Sequence, residues 1–515
     1  MTAAALRRDA PEGGESNPKF ASVARGGMVN MLGAAVSAVV NLALVVVVAH
    51  GVDQNRAGEF FALTSVFLVA ETLCRLGADT GLIYFVARWR ALGQQRLIRA
   101  GLRVALVPAV SLAVFVAGAV ILFAPWIVDT VVKGSGSHGS VVMLRTLAIF
   151  LPAAVLYDLV IGATRGFDRM RPTVVVDKVG RPILQLALVS LVLLVGWQDG
   201  LGVAWVLPYL AAVATAVWML ERIGVQKSTP GGRAEALHAV RREFWQFTAP
   251  RAAAGVAQIL MQRLDIVLVA ALAGLKAAAL YTAATRFVVV GQFVNQAVSA
   301  PVQPRLSALL AAGDRAGAKA LYRVSTTWLV LVSWPVFGAC IALAPTYLVL
   351  FGHGYHEAVA VVVVLSASML LASTCGLVDS VVIMAGRTSW NLGTTIAALG
   401  INVVADLVLI PPYGIVGAAA GWCAGIAAAN LVPLALAWRG LGLHPCGRSL
   451  GLALMTTGGC FVVLPIVISV TTGSQVATAG ALLLGAALYA AMLWRARGIF
   501  ELGGMLRRRV HSATQ

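Results

Sequence analysis

The sequence predicts an all-α, polytopic membrane protein with about fourteen transmembrane helices. Hydrophobic residues make up 59% and charged residues only 12% of the 515 residues, whereas soluble domains have roughly 25% charged residues. The apolar residues fall in runs of about 20, the helical length that crosses a bilayer core of about 30 Å. Basic residues concentrate in alternate connections between these runs, which is typical of a polytopic topology.

Each apolar run is a candidate span with boundaries good to a few residues. The runs cover residues 27–50, 59–83, 104–128, 140–163, 182–197, 202–220, 244–273, 279–302, 324–350, 358–385, 390–410, 415–437, 450–471 and 477–494. The connections on one side of the membrane are too short to form an extracytoplasmic domain. The polar first 25 residues lack the pattern of a cleaved signal sequence, so the first apolar run is predicted to be a true span.

The orientation follows from the basic residues. Of the 39 Lys and Arg residues, 31 lie in the termini and in one set of alternate loops, among them Arg165, Lys178 and Arg181. The opposite loops have only three, and five lie inside spans. Cytoplasmic loops carry the excess of Lys and Arg, so both termini are predicted to be cytoplasmic. The net charge of +18 is then explained by anionic lipid headgroups, and no nucleic-acid partner is expected.

An internal repeat appears when the chain is aligned with itself at an offset of 220 or 221 residues. At this offset Ser37 and Asn41 fall on Gln258 and Gln262, and Thr64 falls on Thr285. Six spans per copy is an even number, which predicts two six-helix lobes related by a pseudo-two-fold axis along the membrane normal. The predicted N-lobe covers residues 26–222 and the C-lobe 244–438, joined by a cytoplasmic linker at 223–243. Two extra helices follow at 439–495. The chain begins with a cytoplasmic tail at 1–25 and ends with a basic cytoplasmic tail at 496–515.

Polar side chains form stripes on three of the predicted spans. Such stripes are costly against lipid, so they face either a wet cavity or another helix. Because the stripes lie on repeat-related helices, the sequence favours a cavity, although interhelical hydrogen bonding remains the alternative for each single residue. The candidate cavity residues of these stripes are Ser37, Asn41, Gln258, Gln262, Asp265, Thr285 and Gln292.

Charged residues inside the spans are the other candidates. Arg286 has no acidic residue three or four positions away, and Arg263 and Asp265 lie at similar depth. These arginines are candidates to bind an anionic substrate, with an Asp265–Arg286 ion pair as the structural alternative. Arg75 lies four residues from both Glu71 and Asp79, so we expect its charge to be satisfied within its own helix.

Two further acidic residues in the spans, Asp379 and Asp406, are candidate sites for a coupling proton or sodium ion. The alternative for both is a role in helix pairing.

No catalytic, cofactor or metal motif is present in the sequence. There is no GxxxxGK[ST] phosphate-binding loop, no second His at zinc-helix spacing after His356 and Glu357, and no GxSxG. The six cysteines form no CxxC pair. The chain is therefore predicted to be a transporter rather than an enzyme.

Four segments resemble those of a known family. They are ALYTAATRFVVVGQFVNQAVSAPVQPRLSALLAAGD, GATRGFDRMRP, LGADTGLIYFVAR and PPYGIVGAAAGW. They resemble the polysaccharide flippases of the multidrug/oligosaccharidyl-lipid/polysaccharide exporter superfamily, which includes O-antigen flippases and the lipid II flippase branch. The resemblance covers nearly the whole chain.

This resemblance implies a V-shaped pair of lobes in a bacterial inner membrane, moving a polyprenyl-diphosphate-linked oligosaccharide to the outer leaflet. Membrane lipids and glycan biosynthesis enzymes are the other implied partners. Arg286 is similar to a cavity arginine on span eight of the lipid II branch, whereas the arginines of that branch on spans one and two have no match. This difference favours an oligosaccharide substrate, with a lipid II flippase and a cation-coupled multidrug exporter as alternatives.

Overall fold

The computed structural model describes residues 18–132, 138–167, 169–223 and 233–495. This part of the chain is helical throughout and contains no strand. Twelve of its helices are long and apolar enough to cross a membrane. The all-α, multi-pass class is confirmed, and the count of about fourteen spans stays a prediction. The predicted tails at 1–25 and 496–515 lie largely outside the described residues. Of the predicted linker at 223–243, residues 224–232 lie outside them, and residues 233–243 begin the helix Arg233–Ala273, which continues into the seventh predicted span.

The N-terminal half consists of nine α-helices and one π-helical segment among the described residues. They are α1 Pro18–Gly51, α2 Gln54–Arg75, α3 Ala78–Ala91, α4 Gln95–Val132, α5 His138–Ile149, α6 Leu151–Gly166, the π-helical Thr173–Gly180, α7 Arg181–Leu194, α8 Leu201–Val206 and α9 Pro208–Arg222. Buried aromatic rings hold these helices together. Trp205 of α8 makes edge-to-face contacts with Phe60 and Phe67 of α2, at 6.5 and 5.6 Å between ring centroids.

The fifth predicted span begins earlier than its apolar run. The π-helical segment runs directly into α7, which starts at Arg181 with Pro182 in its first turn. Lys178 and Arg181 therefore lie on this helix. The count of basic residues had placed them in a connecting loop. Proline is common in the first turn of a helix, which made Pro182 look like the start of the span. In the structure the π-helical segment precedes it without a break, so Pro182 lies inside a longer helix.

A break separates α2 from α3 inside the second predicted span, nearer its C-terminal end. Leu76 has φ 52°, the one non-glycine residue with positive φ in the described chain, and Gly77 has φ 66°. Gly77 also lies against α10, because a Cβ atom there would meet the Cα of Ala252 at 2.9 Å. Glycine therefore satisfies both the left-handed backbone and the close approach of the two helices.

The C-terminal half repeats this pattern of long and broken helices. It consists of α10 Arg233–Ala273, α11 Leu275–Thr285, α12 Val288–Ala311, α13 Arg315–Ala342, α14 Ala344–Val349, α15 Val359–Cys375, α16 Val378–Met384 and α17 Thr388–Leu441. Within α10 to α17, the buried Phe337 of α13 contacts Phe287 at 6.1 Å between ring centroids.

Helix α17 is two helices joined at a kink. Its 54 residues would extend about 80 Å as one straight rod, more than twice the bilayer core. Gly414, with φ 56° and ψ −133°, breaks it between the predicted spans 390–410 and 415–437. The second leg approaches the first through glycines, because Cβ atoms at Gly417, Gly421 and Gly425 would clash with Leu409, Asp406 and Asn402.

The last helices pack on the outside of α13. They are α18 Arg448–Gly458, the π-helical Gly459–Val463, α19 Leu464–Thr472 and α20 Gln475–Arg495. The hydroxyl of Tyr489 donates a hydrogen bond to the carbonyl of Leu331 at 2.7 Å. A Cβ at Gly338 would lie 2.5 Å from the carbonyl oxygen of Phe461, so glycine allows the close packing.

Candidate functional site

A polar cavity lies where α1, α2, α6, α7 and α9 face α10 and α11. It has a volume of about 380 Å³. We call it the basic cavity, because six basic and four acidic side chains line it. These are Arg75, Arg165, Lys178, Arg181, Arg263 and Arg286, with Glu71, Asp79, Asp158 and Asp177. Arg263 and Arg286 come from the C-terminal half and the other charged residues from the N-terminal half.

Three cations surround a single carboxylate on the N-terminal side of the basic cavity. The oxygens of Asp177 lie 3.6 Å from Arg165, 3.5 Å from Lys178 and 3.8 Å from Arg181. The hydroxyl of Tyr157 also donates to Asp177, at 3.3 Å. One carboxylate neutralises one of the three cations, so this wall of the cavity has a surplus of positive charge.

Gln185 positions Arg181 at this wall. Arg181 donates from Nη1 to Oε1 of Gln185 at 3.1 Å, and Gln185 donates to the carbonyl of Trp205 at 2.8 Å. The Nε atom of Arg181 is buried and has no partner among the described residues. A guanidinium has five N–H donors, so Arg181 lines this wall with its hydrogen-bonding capacity only partly used.

Arg75 pairs across the N-terminal half and not within its own helix. Its Nη1 donates to Oδ2 of Asp158 on α6 at 2.8 Å, and its Nη2 donates to the hydroxyl of Thr72 at 2.8 Å. The expectation that Glu71 and Asp79 satisfy Arg75 was therefore wrong. The break at Leu76 takes Asp79 out of the helical register, and Glu71 is buried with only 4% of its surface exposed.

Arg286 is held at the end of α11 by its own backbone. Its Nε donates to the carbonyl of Thr282 at 3.0 Å, and its Nη2 donates to the hydroxyl of Thr285 at 3.3 Å. Arg263 of α10 lines the same wall, and its Nε has no partner. Among the described residues neither arginine forms an ion pair with a carboxylate. The alternative Asp265–Arg286 ion pair is thus absent from this part of the chain.

Asp265 instead belongs to a buried acidic cluster behind the cavity wall. Its Oδ2 accepts a hydrogen bond from the hydroxyl of Tyr281 at 2.9 Å, and its carboxyl group is within hydrogen-bonding reach of Asp406. Asn402 donates to Oδ2 of Asp406 at 3.3 Å. Oδ1 of Asp265, Oδ1 of Asp406 and Oδ1 of Asn402 are all buried and have no hydrogen-bond partner in the described part of the chain. Three such oxygens together form a site that a proton or a small cation would satisfy.

Two further cavities continue from the basic cavity into the C-terminal half. A small one of about 100 Å³ adjoins Arg263, Arg286, Asp265 and Thr285. A larger one of about 490 Å³ shares Gln262 and Gln292 with it and is lined by further residues that include Gln258 and Asp379. The predicted cavity residues of α10 to α12 are therefore brought together along one path.

On α1 the structure places one of the two predicted residues at a cavity. Asn41 lines the basic cavity and donates to the carbonyl of Ser37 at 2.7 Å. Ser37 itself lies outside the lining of the three cavities, where its hydroxyl accepts from Asn41 at 3.3 Å.

The fold is similar to that of known transporters. The lipid II flippase MurJ in its inward closed conformation superposes with a TM-score of 0.72 at 12% identity, over 92% of this chain and 99% of that one. A multidrug resistance MATE family transporter in an inward-facing conformation gives 0.63 at 13% identity, over 82% and 95%. A multidrug/oligosaccharidyl-lipid/polysaccharide (MOP) superfamily transporter from Pyrococcus furiosus gives 0.53 at 15% identity, over 85% and 96%.

The chain has the fold of the MOP exporter superfamily. The family model "Polysaccharide biosynthesis protein" matches residues 200–360, which include α10, Arg263 and Arg286. No curated protein sequence matches the chain. The resemblance to this superfamily is thus confirmed, and its members among the matched structures are transporters.

Sequence reasoning missed the charged residues on the N-terminal side of the basic cavity, although it predicted Asn41 there. Arg165, Lys178 and Arg181 were counted as cytoplasmic loop charges, and Asp177 was not considered. A signal was present, because Lys178 and Arg181 lie three residues apart, on one helix face, with Asp177 beside them. The proline at 182 hid it by marking an apparent start of the fifth span.

Proposed function

We propose that this protein is a flippase that moves a polyprenyl-diphosphate-linked oligosaccharide from the cytoplasmic to the outer leaflet of a bacterial inner membrane. The observation that carries the proposal is the pair Arg263 and Arg286, which line the basic cavity without a carboxylate partner among the described residues. Two guanidinium groups opposite the surplus cations around Asp177 suit a diphosphate, which arginine binds through paired hydrogen bonds.

The contacts of α2 and α3 support alternating access. On the predicted outer side, a Cβ at Gly58 of α2 would overlap the carbonyl of Leu275 of α11. On the predicted cytoplasmic side, Tyr84 of α3 stacks on Phe247 of α10 at 4.2 Å between ring centroids. The basic cavity lies between these two contacts. Opening one contact at a time would expose the bound headgroup to one side only.

The cluster of Asp265, Asp406 and Asn402 supports ion coupling next to the substrate site. Asp265 lines the small cavity beside Arg286, so a charge bound at this cluster acts on the diphosphate site through a short distance. Asp379 lines the larger cavity away from this cluster and has no ion pair among the described residues. Of the two predicted coupling residues, Asp406 is the better supported.

The alternatives differ in the charge of the cargo. A multidrug exporter for cationic drugs is disfavoured, because the basic cavity has more cations than anions along its wall. A lipid II flippase remains an alternative of the same class. The sequence showed no match for the span-two arginine of that branch, but Arg75 of α2 lines the basic cavity, so this reason against a lipid II flippase no longer holds. A direct comparison of lipid-linked cargoes distinguishes the two.

The test uses purified protein in vesicles with a fluorescent undecaprenyl-diphosphate disaccharide, whose transfer between leaflets is measured by quenching from outside. Arg263→Ala and Arg286→Ala should each lower the transfer rate at least tenfold, since each removes a charge-assisted contact worth about 1.5–3 kcal/mol. Arg145→Ala is the matched control, because Arg145 bonds to the carbonyl of Ile121 outside the cavities. Equal rates for all three variants would contradict the proposal.

A further inference from the structure

The larger cavity of the C-terminal half has a lining unlike that of the basic cavity. Its wall carries carboxamide side chains from α10, α12 and α17, together with the aromatic rings of Trp422 and Phe337. We call it the amide cavity, and its carboxamides are Gln258, Gln262, Gln292, Asn295, Gln296, Asn391 and Asn430. No Lys or Arg lines it within the described residues, and Asp379 is its one charged residue there.

Most of these carboxamides are free to bind a ligand. Asn430 donates to the carbonyl of Ile426 at 2.8 Å. The side chains of the other six make no hydrogen bond with the described part of the chain. Gln258 and Gln262 are four residues apart, as are Gln292 and Gln296, so each pair presents its amides on one helix face. An amide offers both a donor and an acceptor, which is what a sugar hydroxyl requires.

The amide cavity is continuous with the diphosphate site. Gln262, Gln292 and Trp422 line both the amide cavity and the small cavity that contains Arg263 and Arg286. A sugar linked to a diphosphate at those arginines would therefore enter the amide cavity with its first residues. The volume of about 490 Å³ is within the range of small-molecule sites.

We infer that the amide cavity is a saccharide subsite that selects uncharged sugars, and this inference rests on the proposed flippase function. Hydroxyl and acetamido groups match the carboxamides, and the apolar face of a pyranose matches Trp422. A sugar carboxylate would meet Asp379 with no basic side chain among the described residues to offset it, so acidic sugars are rejected by like-charge repulsion.

The experiment measures dissociation constants of the full-length protein in lipid nanodiscs for three probes. These are undecaprenyl diphosphate, the same lipid bearing N-acetylglucosamine, and the same lipid bearing glucuronic acid. The N-acetylglucosamine probe should bind about tenfold tighter than the bare diphosphate, which corresponds to one or two net hydrogen bonds. The glucuronic acid probe should show no such gain.

Two variants assign the gain to the amide cavity. Gln258→Ala and Asn295→Ala should each reduce the tenfold preference for N-acetylglucosamine while leaving the affinity for bare diphosphate unchanged, which also shows that the variants are folded. Gln198→Ala removes an amide from the predicted outer turn and should change neither value. Asn295→Arg should improve binding of the glucuronic acid probe several-fold, because it supplies the missing cation.

The outcomes separate this inference from the proposed function. Equal affinities for all three probes, or a gain for glucuronic acid equal to that for N-acetylglucosamine, would overturn the saccharide subsite and leave the diphosphate site standing. If the wild-type protein does not bind undecaprenyl diphosphate, or binds it as well after Arg286→Ala, the flippase proposal itself fails.

Discussion

Arg286 combines an anchored guanidinium with an open face. Thr282 and Thr285 accept two of its hydrogen bonds, and no carboxylate neutralises it among the described residues. A buried cation without a counter-ion is expensive, and the cost is met when an anionic ligand binds. Under the proposed function, this side chain would favour a substrate-bound state of the cavity.

The relation between Arg286 and Asp265 is testable by a double mutant. Arg286→Ala should abolish transport, and Arg286→Lys should keep part of it, because a point charge holds a phosphate less well than a guanidinium. Since Asp265 is bonded to Tyr281 and not to Arg286, adding Asp265→Ala should not restore transport. Recovery in the double mutant, measured by lipid transfer in vesicles, would show that the two residues form a structural ion pair.

Gly421 determines the position of the Asp406 carboxylate. A Cβ at this residue would lie 2.1 Å from Oδ1 of Asp406, so Gly421→Ala should displace it and cost about 1–3 kcal/mol of stability. Gly400→Ala on the other leg of α17 has open space and should stabilise the protein by about 0.5–1 kcal/mol. Thermal unfolding in detergent measures both. A Gly421→Ala variant as stable as the wild type would contradict the packing described here.

At the scale of the element, α2 and α3 contact the C-terminal half at both of their ends. The contact on the predicted cytoplasmic side is the more specific, with an Arg88–Glu243 ion pair beside the stacked rings of Tyr84 and Phe247. The ion pair is solvent-exposed and contributes little by itself, so the aromatic layer holds this side closed.

Crosslinking of this layer should stop the transport cycle. A Tyr84→Cys, Phe247→Cys pair, in a background without the six native cysteines, should form a disulfide or react with a short bifunctional reagent. The linked protein should bind undecaprenyl diphosphate more slowly from the cytoplasmic side and should not transfer lipid, and reduction should restore transfer. Full transfer by the linked protein would mean that α3 and α10 do not separate during transport.

The elements also show how far the sequence was informative. Apolar runs located most of the membrane helices, since a 20-residue run has few other uses, and Gly414 broke α17 between the predicted spans. The break at Leu76 was not foreseen, because nothing in a leucine indicates a left-handed backbone. The partner of Arg75 was missed for a different reason. Asp158 lies 83 residues away, and only tertiary packing brings it near Arg75.

At the scale of the whole molecule, the orientation is still a prediction from the distribution of basic residues. Single cysteines at Gln198 and Gln475 should react with an impermeant thiol reagent in intact spheroplasts, and cysteines at Gln94 and Ala312 should react only after lysis. All four positions are exposed. Reversed labelling would invert the direction of the proposed transport.

On α10 to α12 the residues chosen from the sequence do line cavities, because polar side chains are conspicuous in an apolar helix, and their role in binding substrate stays a prediction. Gln262, Arg263, Asp265, Thr285, Arg286 and Gln292 all line one small cavity. The charged residues of the N-terminal wall were not predicted, since charges such as Arg165 near a helix end are normal features of a cytoplasmic loop. Sequence alone does not readily distinguish a charge in a cavity from a charge in a loop, because the depth of a residue in the membrane depends on where its helix begins.

The break at Leu76–Gly77 has a mechanical consequence. If α2 and α3 formed one rigid helix across the membrane, moving one end toward the opposite half would move the other end away from it. Because the break allows α2 and α3 to tilt separately, the far end of each can contact the opposite half at the same time. In the proposed transport cycle, the protein could then pass through a state sealed on both sides, and a charged headgroup would cross without opening a leak for small ions.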